Sequence, residues 1–241
     1  MLQPALPAHS EGWRRASGPT SRVVRRRLFS LACALGTVRA WGGNACEPAA
    51  PPAERLARAV DELNRLAADA ARLDLPGRIH WVNVAINNRI DPVPRAVSDC
   101  GPPRWRLPAE TLARGAGNCA DSAILKYFLL LASGVPTPAA RLLYAVHRPP
   151  DTPGLSTPHL VALAREPFVD PLALDAINLL AIPLSLRSDL EPVFSFDCQR
   201  LWAGVAGPDR GSSVERLRPW RELLARTESV PVRAAPAVHR P

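Results

Sequence analysis

Three residues of this sequence have the types and settings that nucleophilic chemistry needs: Cys119, His159 and Asp175. Cys119 follows Gly115-Ala116-Gly117-Asn118 and opens the apolar run CADSAILKYFLLLAS, which reads as a helix from Cys119 to Ser133 with Asn118 as its N-cap. A helix N-terminus carries partial positive charge and unpaired N–H groups, so it favours a thiolate and can receive an oxyanion. Gly115 and Gly117 are expected to let the backbone come close to a substrate. His159 opens a strand after a proline-bounded loop, and Asp175 follows 16 residues later. A hairpin centred on residue 167 pairs positions whose numbers sum to 334, which places His159 opposite Asp175, with Cβ atoms about 5 Å apart. A slip of one residue would turn Asp175 to the other face. Asp170, the competing carboxylate, has the opposite parity. Alone, a cysteine at a helix start is usually a small buried hydrophobe, and a histidine there is usually polar surface. Together the three make a nucleophile, a base and an orienter.

The elements that must position them form a helical half followed by a strand half. Apolar residues at three- and four-residue steps predict a helix from Ala53 to about Leu73, stopped by Pro76-Gly77. A second helix is expected over 79–90, then a proline-rich loop over 91–108 that contains Trp105. Helical signals resume at Pro108, break at 115–118 and restart at Cys119. That run holds Lys126, the only lysine in the chain, and being apolar almost all round it must be buried. Strands are expected over 141–146, 159–164 and 169–174, the last two paired antiparallel about Pro167. A short amphipathic helix is expected near 213–227, followed by a disordered tail. The fold class is α+β, with the nucleophile helix packed on an antiparallel sheet.

Composition narrows the function classes. The net charge of +8 is uneven: residues 1–40 hold seven arginines and one acid, leaving only +2 for the other 201 residues. No nucleic-acid partner is therefore expected. Arg25-Arg26-Arg27 followed by the apolar stretch 28–36 and small residues has the layout of a secretory signal peptide, and a nine-residue apolar run is too short to span a bilayer. The expected organisation is a signal peptide over 1–40, a flexible connecting segment over 41–52, a catalytic domain over 53–204, and a short helix with a disordered tail over 205–241. The expected product is exported and soluble, in the periplasm. The five cysteines (33, 46, 100, 119 and 198) form no C-x-x-C pair, so a zinc ribbon or thioredoxin-type site is not indicated. An oxidising compartment would permit a disulfide among Cys46, Cys100 and Cys198. P-loop, dinucleotide and G-x-S-x-G patterns are absent.

The run from Gly115 through Asn118-Cys119-Ala120-Asp121-Ser122-Ala123-Ile124 to Lys126-Tyr127 resembles the nucleophile motif G-x-G-D-C-E-D-Y-A-I-x-K-Y of the bacterial transglutaminase-like cysteine proteinases, the LapG-type periplasmic proteases. Val82-Asn83 with Ile86-Asn87, Trp105-x-x-Pro108-x-Glu110, His159-Leu160-Val161, Leu174-Asp175 and Arg187-x-Asp189-Leu190-x-Pro192 resemble further motifs of that family in the same order, and Trp202 completes the pattern. The resemblance covers roughly 53–204. It implies a papain-like, transglutaminase-like core, a Cys119–His159–Asp175 triad, and cleavage of a periplasmic or surface protein such as a biofilm adhesin, often at an alanine-rich site. It also implies an inner-membrane receptor and a calcium requirement. The chemistry itself needs no cofactor. The family's acids beside the nucleophile are Asn118 and Ala120 here, leaving Asp121 as the single candidate calcium ligand. Calcium takes six to eight oxygens, so a site there is expected to be weak or lost. The same residues would also serve an acyltransferase or amidase, or a binding protein without activity.

Overall fold

The computed structural model describes residues 51–93, 104–165 and 169–227. The signal segment, Cys33, Cys46, Cys100, the turn at Pro167 and the C-terminal tail lie outside them, as does nearly all of the connecting segment.

Helix α1 (Ala53–Ala71) buries Ala59, Leu63, Leu66, Ala67 and Ala70 along one stripe. Helix α2 (Leu75–Asn87) starts four residues earlier than the sequence suggested, and Pro76-Gly77 lies in its first turn instead of simply ending α1. Proline has no N–H to lose at that position. Asp74 caps the helix by accepting from Gly77 N at 3.0 Å. A Cβ on Gly77 would come 2.7 Å from Asp74 Oδ1, so the cap itself calls for glycine.

Two short strands not expected from the sequence, β1 (Asp91–Pro92) and β2 (Ala116–Gly117), pair in parallel just ahead of Cys119. Between them, helix α3 (Pro108–Arg114) is capped by Glu110, whose Oε2 accepts from Leu107 N at 2.9 Å. It ends on Gly115 at φ 68°, a left-handed conformation that costs glycine least. Helix α4 (Cys119–Ala132) follows, with every residue from Ala120 to Tyr127 buried.

Among the described residues, seven antiparallel strands form the sheet: β3 (Ala140–His147), β4 (Thr157–Ala164), β5 (Leu172–Leu174), β6 (Ile182–Pro183), β7 (Leu190–Phe196), β8 (Arg200–Ala203) and β9 (Asp209–Ser212), in the order β6-β5-β4-β3-β7-β8-β9. Only β3, β4 and β5 were legible as strands. β7 contains Pro192, which sits where the β3–β7 register shifts between Tyr144 and Ala145; proline and a bulge together mask the alternation. Leu160, Ala162 and Ala164 of β4 face the helices, whereas Val161 and Leu163 join a second cluster with Leu143, Ala173 and Leu190. That two-sided burial explains why β4 reads as a continuous apolar run.

Helices α5 (Ser213–Arg216) and α6 (Arg218–Thr227) close the described chain. Trp220 and Leu223 of α6 are fully buried in the main core, so the packed unit continues past residue 204. Trp105, Tyr127, Phe128 and Phe196 surround Trp220, with ring centroids 5.3–6.0 Å away. Among the described residues, no helix is long and apolar enough to cross a membrane.

Candidate active site

Cys119 is the first residue of α4, and the capping geometry before it is closed. Asn118 Oδ1 accepts from Ala120 N at 2.9 Å and from Asp121 N at 3.1 Å, while Asp121 Oδ2 accepts from Asn118 N at 3.0 Å. This reciprocal cap occupies two of the N–H groups that the sequence reading offered to an oxyanion. Ser122 N bonds Asn118 O, so Cys119 N–H, which has no intrahelical acceptor, is the first-turn donor left for that role. The glycines also differ from expectation. Gly115 caps α3, and Gly117 packs against Asp121, where an added Cβ would meet Asp121 Cβ at 2.9 Å. Both shape the loop; neither is explained by a substrate.

The β4–β5 register is Ala162↔Leu174, Leu163↔Ala173 and Ala164↔Leu172. These pairs sum to 336, two more than the expected hairpin, so His159 and Asp175 are diagonal neighbours and not directly opposed. A shift of two keeps parity and therefore keeps both on one face. Their side chains meet all the same: His159 Nε2 lies 2.8 Å from Asp175 Oδ1. Asp175 is held as an anion from its other side, because Arg187 Nη2 donates to its Oδ2 at 2.8 Å. The carboxylate is then only an acceptor, so Nε2 carries the hydrogen and Nδ1 is left to the thiol. Asp170 is exposed and accepts from Ser185 N at 3.0 Å, away from the histidine.

Electrostatics follow from these contacts. Burial alone would push the Asp175 carboxyl up, but His159 and Arg187 hold it well below the usual carboxylate range. Burial opposes protonation of His159, yet Asp175 and Cys119 raise its pKa to about 9. Burial raises the Cys119 thiol, and the hydrogen bond and charge of His159, with the Leu160 backbone, more than offset this and leave it lowered. The three groups therefore favour a thiolate–imidazolium pair. Cys119 as a residue is partly buried.

A second tier supports the row. Arg187 also binds Asp189 at 2.7 and 2.8 Å, and Asp189 lies 3.3 Å from His147. The His147 and His159 ring centroids are 5.2 Å apart. From the helical side, Lys126 Nζ donates to Asn87 Oδ1 at 2.7 Å. Asn87 Nδ2 in turn donates to Asp175 O at 3.0 Å and Asn178 O at 2.8 Å. Asn83, one turn earlier, donates to Asn178 O and Leu179 O at 3.0 and 2.8 Å. Arg187, Asn87 and Lys126 each fall in a stretch that resembles the family, but no role for them is readable from residue type and spacing. One signal was present: a lone cation in an apolar helix must find a partner. Cys198 carries a free thiol 3.3 Å from Tyr127 Oη, and the other two cysteines named for a disulfide, Cys46 and Cys100, lie outside the described residues.

The residues around Asp121 do not fit calcium. Its Oδ2 is already shared by Asn118 N and Arg106 Nη1, the latter at 2.5 Å in a pair whose side chains are 5% and 2% exposed. Among the described residues, no group of three or more His, Cys, Asp or Glu side chains converges.

No protein-family model and no curated protein matches the chain. Among solved structures, Legionella pneumophila LapG in an EGTA-treated form is similar over 83% of this chain and 96% of that one, at 27% identity and a TM-score of 0.56. Calcium-bound Legionella pneumophila LapG is similar over 84% and 98%, at 27% identity and a TM-score of 0.55. With helices packed on an antiparallel sheet and a cysteine opening the buried helix, the chain has a papain-like, transglutaminase-like α+β fold and is similar to the LapG-type cysteine proteases.

Proposed function

We propose that this chain is an exported thiol peptidase that hydrolyses a peptide bond of a periplasmic or cell-surface protein, with Cys119 as nucleophile, His159 as acid–base and Asp175 as orienter. The observation that carries this reading is the row formed by a partly buried thiol at a helix N-terminus, an imidazole beside it, and a carboxylate 2.8 Å beyond the ring. The likeness to LapG supports the reaction class.

The Cys119 thiolate attacks the scissile carbonyl carbon, and the oxygen that gains charge faces Cys119 N–H. The tetrahedral intermediate collapses as His159 Nδ1–H gives its proton to the leaving amine, which breaks the C–N bond and leaves a thioester. Water then gives a proton to His159 and attacks the thioester, releasing the acid and restoring the pair. Asp175 keeps the ring aligned throughout, and Arg187 keeps Asp175 ionised. Ile177, Leu179 and Leu180, which follow Asp175 in the chain, are 57%, 54% and 62% exposed. An adhesin-like surface protein fits as substrate, and an inner-membrane receptor as partner, on the sequence resemblance.

A thiol-reactive probe on the purified protein tests the reading. Labelling is expected at Cys119 and is expected to be abolished in His159→Ala. Products from a peptide library should be free acids, with and without added amine. An unlabelled Cys119, or an amine-dependent product, would overturn it.

A further inference from the structure

We propose that the buried guanidinium of Arg106 is a built-in counter-cation for the nucleophile loop, so that this chain presents Cys119 without calcium and Arg106 is a positioning residue for the reaction. The inference rests on the peptidase reading above and deepens it.

Asp121 lies in the first turn of α4, two residues after Cys119, and one of its oxygens does two jobs. Oδ2 receives Asn118 N, which fixes the residue before the nucleophile, and it receives Arg106 Nη1 from the segment ahead of α3. Asn118 Oδ1 answers by holding Ala120 N and Asp121 N. Cys119 is thus framed on both sides by groups whose geometry depends on one carboxylate, and that carboxylate depends on a cation. Unpaired, a carboxylate at this depth would be costly, and it would also raise the pKa of the thiol beside it. A guanidinium answers both problems, since it is always charged and is the least strongly hydrated of the side-chain cations.

The site is built around this pair. Gly117 has its α-carbon against Asp121, where a side chain would clash. Arg106 is delivered by a fixed neighbour: Trp105 stacks on Phe196 with centroids 5.9 Å apart, and its carbonyl receives Arg226 Nη2 from α6 at 2.5 Å. Asn118 and Ala120 are neutral, so Asp121 is the carboxylate that the nucleophile loop itself supplies, and Arg106 Nη1 is bonded to it. A divalent cation placed beside Asp121 Oδ2 would meet the Arg106 guanidinium at close range.

The test uses the purified full chain with two readouts: the thermal midpoint, and the rate of iodoacetamide alkylation at Cys119 followed by mass spectrometry. In wild type both are expected to be the same in EGTA and in millimolar calcium, and calorimetric titration with calcium alone should show no saturable heat. A rate that falls about tenfold or more in EGTA and returns with calcium would overturn the proposal, as would saturable calcium binding. Arg106→Gln is expected to slow alkylation about tenfold or more, with Arg106→Lys recovering part of the rate because it keeps the charge. Equal rates in both variants would reduce Arg106 to packing and overturn its positioning role. If Arg106→Gln does not fold, wild type and Arg106→Lys still decide through calcium response and rate. If Cys119 is inert in every condition, the peptidase reading fails, and the midpoint and calorimetry still decide whether Arg106 excludes calcium.

Discussion

The chemistry of the site is set by how few charges it contains and how each is matched. Asp175 faces two cationic partners, so it stays ionised and accepts from both. His159, raised to about 9, keeps its proton across neutral pH, while the Cys119 thiol is lowered from its ordinary value. Two pH profiles should therefore separate. Alkylation of Cys119 should rise as the thiol ionises and stay on a plateau, because the thiolate persists at high pH. Peptide hydrolysis should rise with it and then fall above about pH 9 as the imidazolium is lost. Stopped assays of both reactions between pH 4 and 10 check this, and coincident profiles would contradict the assigned roles. Arg187→Gln leaves Asp175 buried without one of its two cationic partners, and breaking a buried pair from one side costs about 3–5 kcal/mol. Urea unfolding at pH 7 should show a loss of that order.

At the scale of elements, α2, α4 and the β5 end are tied by Lys126 and Asn87, the helical counterpart of the Arg187 clamp. Burial lowers the Lys126 ammonium to about 7, against the opposing pull of Asp175. Its folded-state pKa is thus below the ordinary 10.5, so between these values the unfolded chain binds more protons and the lysine makes stability rise with pH. The stability of wild type minus that of Lys126→Met should accordingly increase from pH 7 towards 10.5; a flat or falling difference in denaturant midpoints would refute the assignment. The same elements show what periodicity can reveal. The stripe of α1 and the all-round apolarity of α4 were readable because one and two buried faces leave distinct patterns. β6 to β9 were not, because strands of two to seven residues with Pro183 and Pro192 inside them carry too little alternation to stand out.

At the scale of the molecule, the described chain past residue 204 is part of the packing. Trp220 sits among Trp105, Tyr127, Phe128 and Phe196, and its Nε1–H donates to Asp197 O at 3.1 Å. Trp220→Ala should destabilise the protein by about 3–5 kcal/mol, read as a lowered midpoint in thermal or urea unfolding. Because Trp105 precedes Arg106, the same variant should also slow alkylation of Cys119. Intact stability and reactivity would place α6 outside the functional unit. Seen at this scale, α6 clamps the segment that delivers Arg106, and the sheet delivers His159 and Asp175.

Residue types and local order alone determined the place of Cys119 at a capped helix start, the α+β order of elements, and the parity that keeps His159 and Asp175 on one face. These are short-range properties, readable from a cap, an apolar period and an even register. Tertiary structure alone decided the two-residue register shift, the donor left for an oxyanion, and the partners Arg187, Asn87, Lys126 and Arg106. Each of those depends on bringing together groups far apart along the chain, such as Lys126 and Asn87, 39 positions apart. A buried charge advertises that it needs a partner, but only the packed chain shows which one it finds.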